Sequence, residues 1–184
     1  MNSNSNFKEN IFPAMILVII CLVVTLALAG TYSVANPIII QNQQKSADEA
    51  RQEVLPDGGG FTKYDGKLTE GVEDCYIADN KVGMAVTAGY KGFGGTVKVM
   101  IGIDADGKVT GVKVTEHSET PGLGSKAADA DYLKQYQGVT EAPESSIKDD
   151  KNVDAITGAT ITSNAVYNSV KEALAQFKEC GGVK

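Results

Sequence analysis

Residues 154–163 read Asp-Ala-Ile-Thr-Gly-Ala-Thr-Ile-Thr-Ser, and an amphipathic run follows at once. Four hydroxyl side chains, Thr157, Thr160, Thr162 and Ser163, flank Gly158 and Ala159. That composition suits a phosphate. Gly158 and Ala159 are small enough for the backbone to approach a ligand closely. Thr162 or Ser163 can cap the helix that follows, whose free N–H groups point back at any anion placed there. One hydroxyl in such a place can also accept a phosphoryl group covalently. The plainer reading of the same residues is a polar loop leading into a capped helix.

A second stretch, residues 117–126, reads His-Ser-Glu-Thr-Pro-Gly-Leu-Gly-Ser-Lys. Pro121 and Gly122 fit positions i+1 and i+2 of a type II turn. Glu119, Thr120 and Ser125 place donors and acceptors around that turn. Taken alone, this stretch is equally a strand-ending turn. His117 has no triad or ligand set around it and reads as a structural or surface histidine. Residues 89–95, Gly-Tyr-Lys-Gly-Phe-Gly-Gly, are glycine-rich. They match neither Gly-x-Gly-x-x-Gly nor a phosphate loop, so a mobile loop or tight turn is the default.

The pattern Asp-x-x-Thr-Gly-Ala-Thr-x-Thr-Ser closely resembles the flavinylation motif of the FMN-binding domain family. That family includes the RnfG subunit of Rnf complexes and the NqrC subunit of sodium-pumping quinone reductases. The resemblance implies a phosphoester between FMN and Thr160, made by a dedicated flavin transferase. Glu-Thr-Pro-Gly-Leu-Gly resembles the family's second signature, which implies an isoalloxazine pocket. Leu123 would then offer an apolar face to the ring, and Glu119, Thr120 and Gly124 hydrogen bonds to its polar edge. Lys126 would add positive charge near the flavin or its phosphate. Asp154 would orient the motif or assist attachment, and Thr157 and Thr162 would hold phosphate oxygens beside Gly158 and Ala159. By the same resemblance the 89–95 loop approaches the flavin or a partner subunit.

Elements must hold these stretches in place. The chain has 184 residues, enough for one globular domain plus extras. At 42% hydrophobic and 22% charged it is ordinary folding material. A net charge of -6 argues against nucleic acid, since phosphate neutralisation needs clustered Lys and Arg. One histidine excludes a multi-histidine metal site within the chain, and no metal ligands are assigned. The cysteines, Cys21, Cys75 and Cys180, contain no Cys-x-x-Cys pair, which argues against an iron–sulfur cluster held by this chain alone. Cys75 and Cys180 could form one disulfide in an oxidising space or stay separate thiols.

Residues 11–29 are almost unbroken apolar sequence, and about 20 helical residues cover the hydrocarbon core. A cleaved signal peptide competes, because Ala27-Leu28-Ala29 matches a small-x-small site. The length of the run and the nearly neutral leader, with Lys8 beside Glu9, favour a retained anchor. Lys8 is the only basic residue before the run and Lys45 the first after it. The positive-inside rule therefore expects residues 1–10 in the cytoplasm, a single span at 11–30 and everything beyond outside. Residues 31–57 read as a stalk or linker. Pro37 should interrupt the helix, and residues 38–54 should resume one reaching about 25 Å. Pro56 and three glycines at 58–60 should end it.

The domain is expected at 58–184. Strands are expected at 72–78, 81–90, 96–103 and 108–116, with a hairpin at Asp104-Ala105-Asp106-Gly107. Residues 61–71 read as turns, 128–136 as a short helix, 138–150 as an exposed loop and 163–178 as a helix. In that helix Val166, Val170, Ala173, Leu174 and Phe177 share one face. Antiparallel strands followed by packed helices indicate α+β. Anchor, stalk, domain and both motifs together resemble an RnfG-type subunit. The resemblance implies an electron relay within an ion-translocating ferredoxin–NAD oxidoreductase, partnered by integral membrane and iron–sulfur or flavin subunits. An NqrC-type subunit and a free-standing anchored flavoprotein reductase are the alternatives.

Overall fold

The structure is a computed structural model that describes residues 3–183. It divides into two compact units, Met1–Ser46 and Ala47–Lys184. Helix α1, Ser3–Val54, supplies the described structure of the first unit, and its last turns belong to the second. The side chains of residues 1–10, expected as a cytoplasmic end, lie outside the described residues. Ile11–Val54 is long and apolar enough to cross a membrane by length and composition. Its large apolar side chains from Ile11 to Ile40 face outward. The hydroxyls within this stretch are satisfied internally: Thr25 donates to the Cys21 carbonyl, Thr31 to Ala27 and Ser33 to Ala29. Such back-bonding is what an apolar solvent requires of a hydroxyl on a helix.

Pro37 does not break α1, contrary to expectation. A proline removes one N–H and crowds the carbonyl four residues back. That loss is local, and apolar helices tolerate it when the turns on either side keep their bonds. The helix ends at Val54, just before Pro56, as expected.

The second unit is a five-stranded antiparallel meander: β1 Phe61–Lys63, β2 Val72–Ala78, β3 Gly83–Lys91, β4 Thr96–Asp104 and β5 Val109–Glu116. β1 falls where only turns were expected; three residues are too few for alternation to show. At the β4–β5 hairpin, Gly107 has φ +82, and Asp104 Oδ1 accepts the N–H groups of Asp106 and Lys108 at 2.9 Å each.

Both faces of the sheet are covered. Val97, Val99, Ile101 and Ile103 of β4 pack with Val86 of β3 against Val166, Val170, Ala173 and Leu174. Those four lie on α3, Thr160–Glu179. Full burial of each valine or leucine on this face contributes about 1.5–3 kcal/mol. On the opposite face, Ala50 and Val54 of α1 pack on Ala85 and Met100. A Cβ on Gly102 would stand 2.1 Å from the Val54 carbonyl oxygen, so the paired glycines Gly102 and Gly111 form the notch that admits the helix end. Thr110 donates to that carbonyl, Lys113 pairs with Glu53, and the Arg51 guanidinium stacks 3.6 Å over the Tyr76 ring. Residues 47–57, read from sequence as part of the stalk, therefore fold with the domain.

Between β5 and α3 lie 3₁₀ turns at Gly124–Ala128 and Lys134–Tyr136, with a short helix α2, Ala130–Leu133, between them. Residues 138–150 are not simply an exposed loop. Ala142 and Ile147 are buried in the core, Asn164 Oδ1 accepts the Ile147 N–H, and the Tyr167 hydroxyl donates to Asp150. Isolated apolar residues carry no period, which hid this anchoring from the sequence.

Candidate functional site

Helix α3 begins three residues earlier than its apolar period indicated, at Thr160, with Ala159 as N-cap and no side-chain cap. The expected caps turn inward instead. Ser163 Oγ is fully buried and accepts the Ile156 N–H at 3.0 Å. Thr162 is buried and donates to Glu119 Oε2 at 2.8 Å. Ser163 N–H to the Ala159 carbonyl, at 2.9 Å, is the first closed bond of the helix. The N–H groups of Thr160, Ile161 and Thr162 have no carbonyl one turn behind them, as in any first turn. Three donors and the positive end of a 20-residue helix dipole therefore converge beside the Thr160 hydroxyl.

The approach to this helix end is set by Gly158. Its φ of +82 is a left-handed conformation that glycine adopts without strain. The Ala159 N–H closes the turn onto the Ile156 carbonyl at 3.0 Å. Across from it, Gly122 has φ +77, and Leu123 N–H meets the Thr120 carbonyl at 3.2 Å, which is the expected type II turn. Ser125 Oγ accepts the Gly122 N–H at 2.9 Å and holds the turn closed.

Between the two loops lies a cleft of about 260 Å³. Gly158, Ala159, Thr160 and Thr162 line one side of it, and Glu119, Thr120, Leu123 and Gly124 line another. Two residues not singled out by sequence complete it: Phe93, at the tip of the β3–β4 hairpin, and Ile161. Phe93 is 73% exposed, Ile161 53% and Leu123 45%, so the mouth of the cleft is apolar and open. A flat aromatic ligand with a charged tail fits this arrangement: apolar walls for the ring, amides for the tail. A larger cleft of about 420 Å³ lies near Tyr136, Asp150 and Tyr167 and contains none of the predicted residues.

Lys126, Asp154 and Thr157 are exposed or half-buried at the surface and do not line the cleft. Asp154 is held through its backbone, which donates to Gln135 Oε1 at 2.7 Å and accepts from Gln135 Nε2 at 3.3 Å. Glu119 is 7% exposed, and both its oxygens have internal partners. Oε1 accepts the Gly94 N–H at 3.0 Å and Oε2 the Thr162 hydroxyl. His117 is exposed and accepts the Glu119 N–H at 3.3 Å, a structural role. No cluster of three metal-ligating side chains occurs among the described residues. The missed signal for Phe93 was an aromatic residue flanked by glycines at a hairpin tip, where nothing in the fold requires one.

Residues 92–175 match the FMN-binding domain, a range that spans both motifs and the hairpin bearing Phe93. The chain is 33% identical over 174 residues to the RnfG component of the proton-translocating ferredoxin:NAD(+) oxidoreductase complex of Clostridium ljungdahlii, covering 91% of each chain. It is 34% identical over 186 residues to the RnfG component of the Na(+)-translocating ferredoxin:NAD(+) oxidoreductase complex of Acetobacterium woodii, covering 89% of each. Among solved structures, Shewanella oneidensis NqrC aligns over 70% of each chain with 19% identity and a TM-score of 0.46.

Proposed function

We propose, for a chain that belongs to the RnfG family of ion-translocating oxidoreductase complexes, that Thr160 carries FMN as a phosphoester and that Phe93, Leu123 and Ile161 flank its ring. The chain is an FMN-binding, membrane-bound component of a ferredoxin:NAD oxidoreductase complex, and its work is electron transfer. FMN, when bound, supplies reversible one- and two-electron chemistry. The chain's own residues bind and orient it. The open amides of Thr160, Ile161 and Thr162 neutralise a phosphate held at the helix end. The Thr162 hydroxyl is committed to Glu119, so its contribution to the phosphate is through its N–H. The exposed mouth leaves one edge of the ring within reach of a partner subunit. An ester keeps the cofactor registered with that partner, where a reversible ligand would dissociate.

The observation that carries this reading is the convergence at one cleft of both motifs, which lie apart in the chain: Glu119 to Gly124 meets Gly158 to Thr162. A flavin transferase would make the ester. Lys8 before the apolar helix, with no further basic residue until Lys45, supports a single span with the domain on the outer face. The named relatives belong to ferredoxin:NAD complexes, which favours that assembly over a quinone reductase. The test is mass mapping of the peptide containing Thr160 after expression with the transferase. The expected mass is that of the peptide plus one FMN ester; an unmodified peptide sinks the assignment.

A further inference from the structure

We infer that Glu119 is a positioning residue, a buried clamp that fixes the Phe93 hairpin against the first turn of α3 and so sets the spacing of the flavin cleft. The inference deepens the functional reading above and rests on it for the identity of the occupant. Its basis is a carboxylate with one oxygen on each wall: Oε1 on the Gly94 N–H of the β3–β4 hairpin, 3.0 Å away, and Oε2 on the Thr162 hydroxyl, 2.8 Å away. Among the described residues Glu119 forms no ion pair, so neutral donors alone hold a buried carboxylate. Hydrogen bonds to a charged acceptor are about twice as strong as neutral ones. That strength is directed entirely along the line joining the two walls.

The glycines around it show that the carboxylate has a built seat. A Cβ on Gly92 would stand 2.3 Å from Glu119 Oε1. One on Gly124 would stand 2.5 Å from Oε2 and 3.1 Å from Thr162 Oγ1. One on Gly94 would stand 2.1 Å from the Ser118 carbonyl oxygen. None of the three has a positive φ, so their backbones would accept any residue. Glycine is required there for space alone, and the space is filled by Glu119 and its neighbour. Two glycine-containing stretches, far apart in sequence, are thus shaped to one side chain. A role in direct hydrogen bonding to the ring does not account for them.

The test compares Glu119→Ala, Glu119→Asp and Glu119→Gln in the full chain in detergent. Amide exchange is read in the flavin-free protein, made without the transferase, and covalent FMN is read after co-expression. Alanine lacks the carboxylate, and aspartate is one methylene too short to span both partners. Both should speed exchange at residues 92–95 at least about tenfold while β4 stays protected. Both should also reduce FMN loading. Glutamine has the right length and one oxygen for Gly94, and its amide can donate to the Thr162 hydroxyl. It should restore both readouts to within about threefold of wild type. Unchanged exchange in Glu119→Ala overturns the clamp. A protected hairpin in Glu119→Gln with flavin loading lost as in alanine also overturns it, because the charge would then act on the cofactor directly. Wild-type chain that takes up no FMN refutes the functional reading, while the exchange data still decide the clamp.

Discussion

Replacing Thr160 and Thr162 by alanine, one at a time, should produce opposite defects. Thr160 opens α3 and its side chain has no hydrogen-bond partner among the described residues. Alanine there loses little burial and gains at most about 0.7 kcal/mol of helix propensity. The net change should stay within about 0.5 kcal/mol, a shift of roughly 2 °C or less in Tm for a unit of this size. Covalent flavin should vanish. Thr162 is 1% exposed and donates to a buried carboxylate. Its loss removes a charge-assisted hydrogen bond of about 1.5–3 kcal/mol, which lowers Tm by roughly 4–12 °C. The Thr160 hydroxyl survives, so flavin should still attach, at a lower level. The assay pairs thermal denaturation followed by circular dichroism with in-gel flavin fluorescence of the denatured chain. A fluorescent band from Thr160→Ala refutes the attachment site. A Tm in Thr162→Ala equal to wild type refutes the energetic reading of the Glu119 bond.

Phe93→Ala should leave stability within about 0.5 kcal/mol of wild type in the same denaturation assay, since the side chain is largely exposed. The visible circular dichroism of the attached flavin should fall toward that of free flavin, and an unchanged spectrum removes Phe93 from the cleft wall. Gly124→Ala, whose Cβ would stand 2.5 Å from Glu119 Oε2, should cost about 1–3 kcal/mol in thermal denaturation and loosen the hairpin. Burial, and after it the nearby Cys180, push the Cys75 thiol up from 9.0 to about 12. The fold thus favours the neutral thiol, so its contribution to stability is complete below about pH 9 and is lost as pH rises through about 12. Denaturation midpoints should decline across that window, and less so in Cys75→Ala. In the native protein at neutral pH, alkylation read by mass spectrometry should mark the half-buried Cys180 and spare Cys75.

Strands β2 to β5 and the apolar face of α3 were legible because their signal is local and periodic. Val97, Val99, Ile101 and Ile103 alternate, and all four are buried. Val166, Val170, Ala173 and Leu174 recur at helical spacing, and all four are buried. The start of α3 was misplaced for an equally local reason. Threonine and serine are good caps, and a run of them reads as the residues before a helix. Here they form its first turn, because tertiary partners reward the hydroxyls more than capping does: Glu119 for Thr162 and the Ile156 amide for Ser163. Pro37 misled through a rule drawn from helices in water.

The residues of the site were legible as chemistry, while the device that assembles them was not. Thr160, Leu123 and Gly158 could be singled out because motifs preserve residue types at fixed short spacings. The Glu119 clamp joins residues 25 and 43 positions apart, and no window of sequence contains both contacts. Its only trace was an excess of glycine, which sequence reading assigns to mobility or to phosphate approach. In the folded chain Gly92 and Gly124 lie against a carboxylate, and the small residue marks tight packing where looseness was expected. The two roles differ in what alanine does. At a glycine kept for its backbone, such as Gly122 with φ +77 and open space around it, alanine costs about 1–2 kcal/mol of local strain and leaves distant elements alone. At Gly124 the same substitution must displace Glu119, and through it both walls of the cleft.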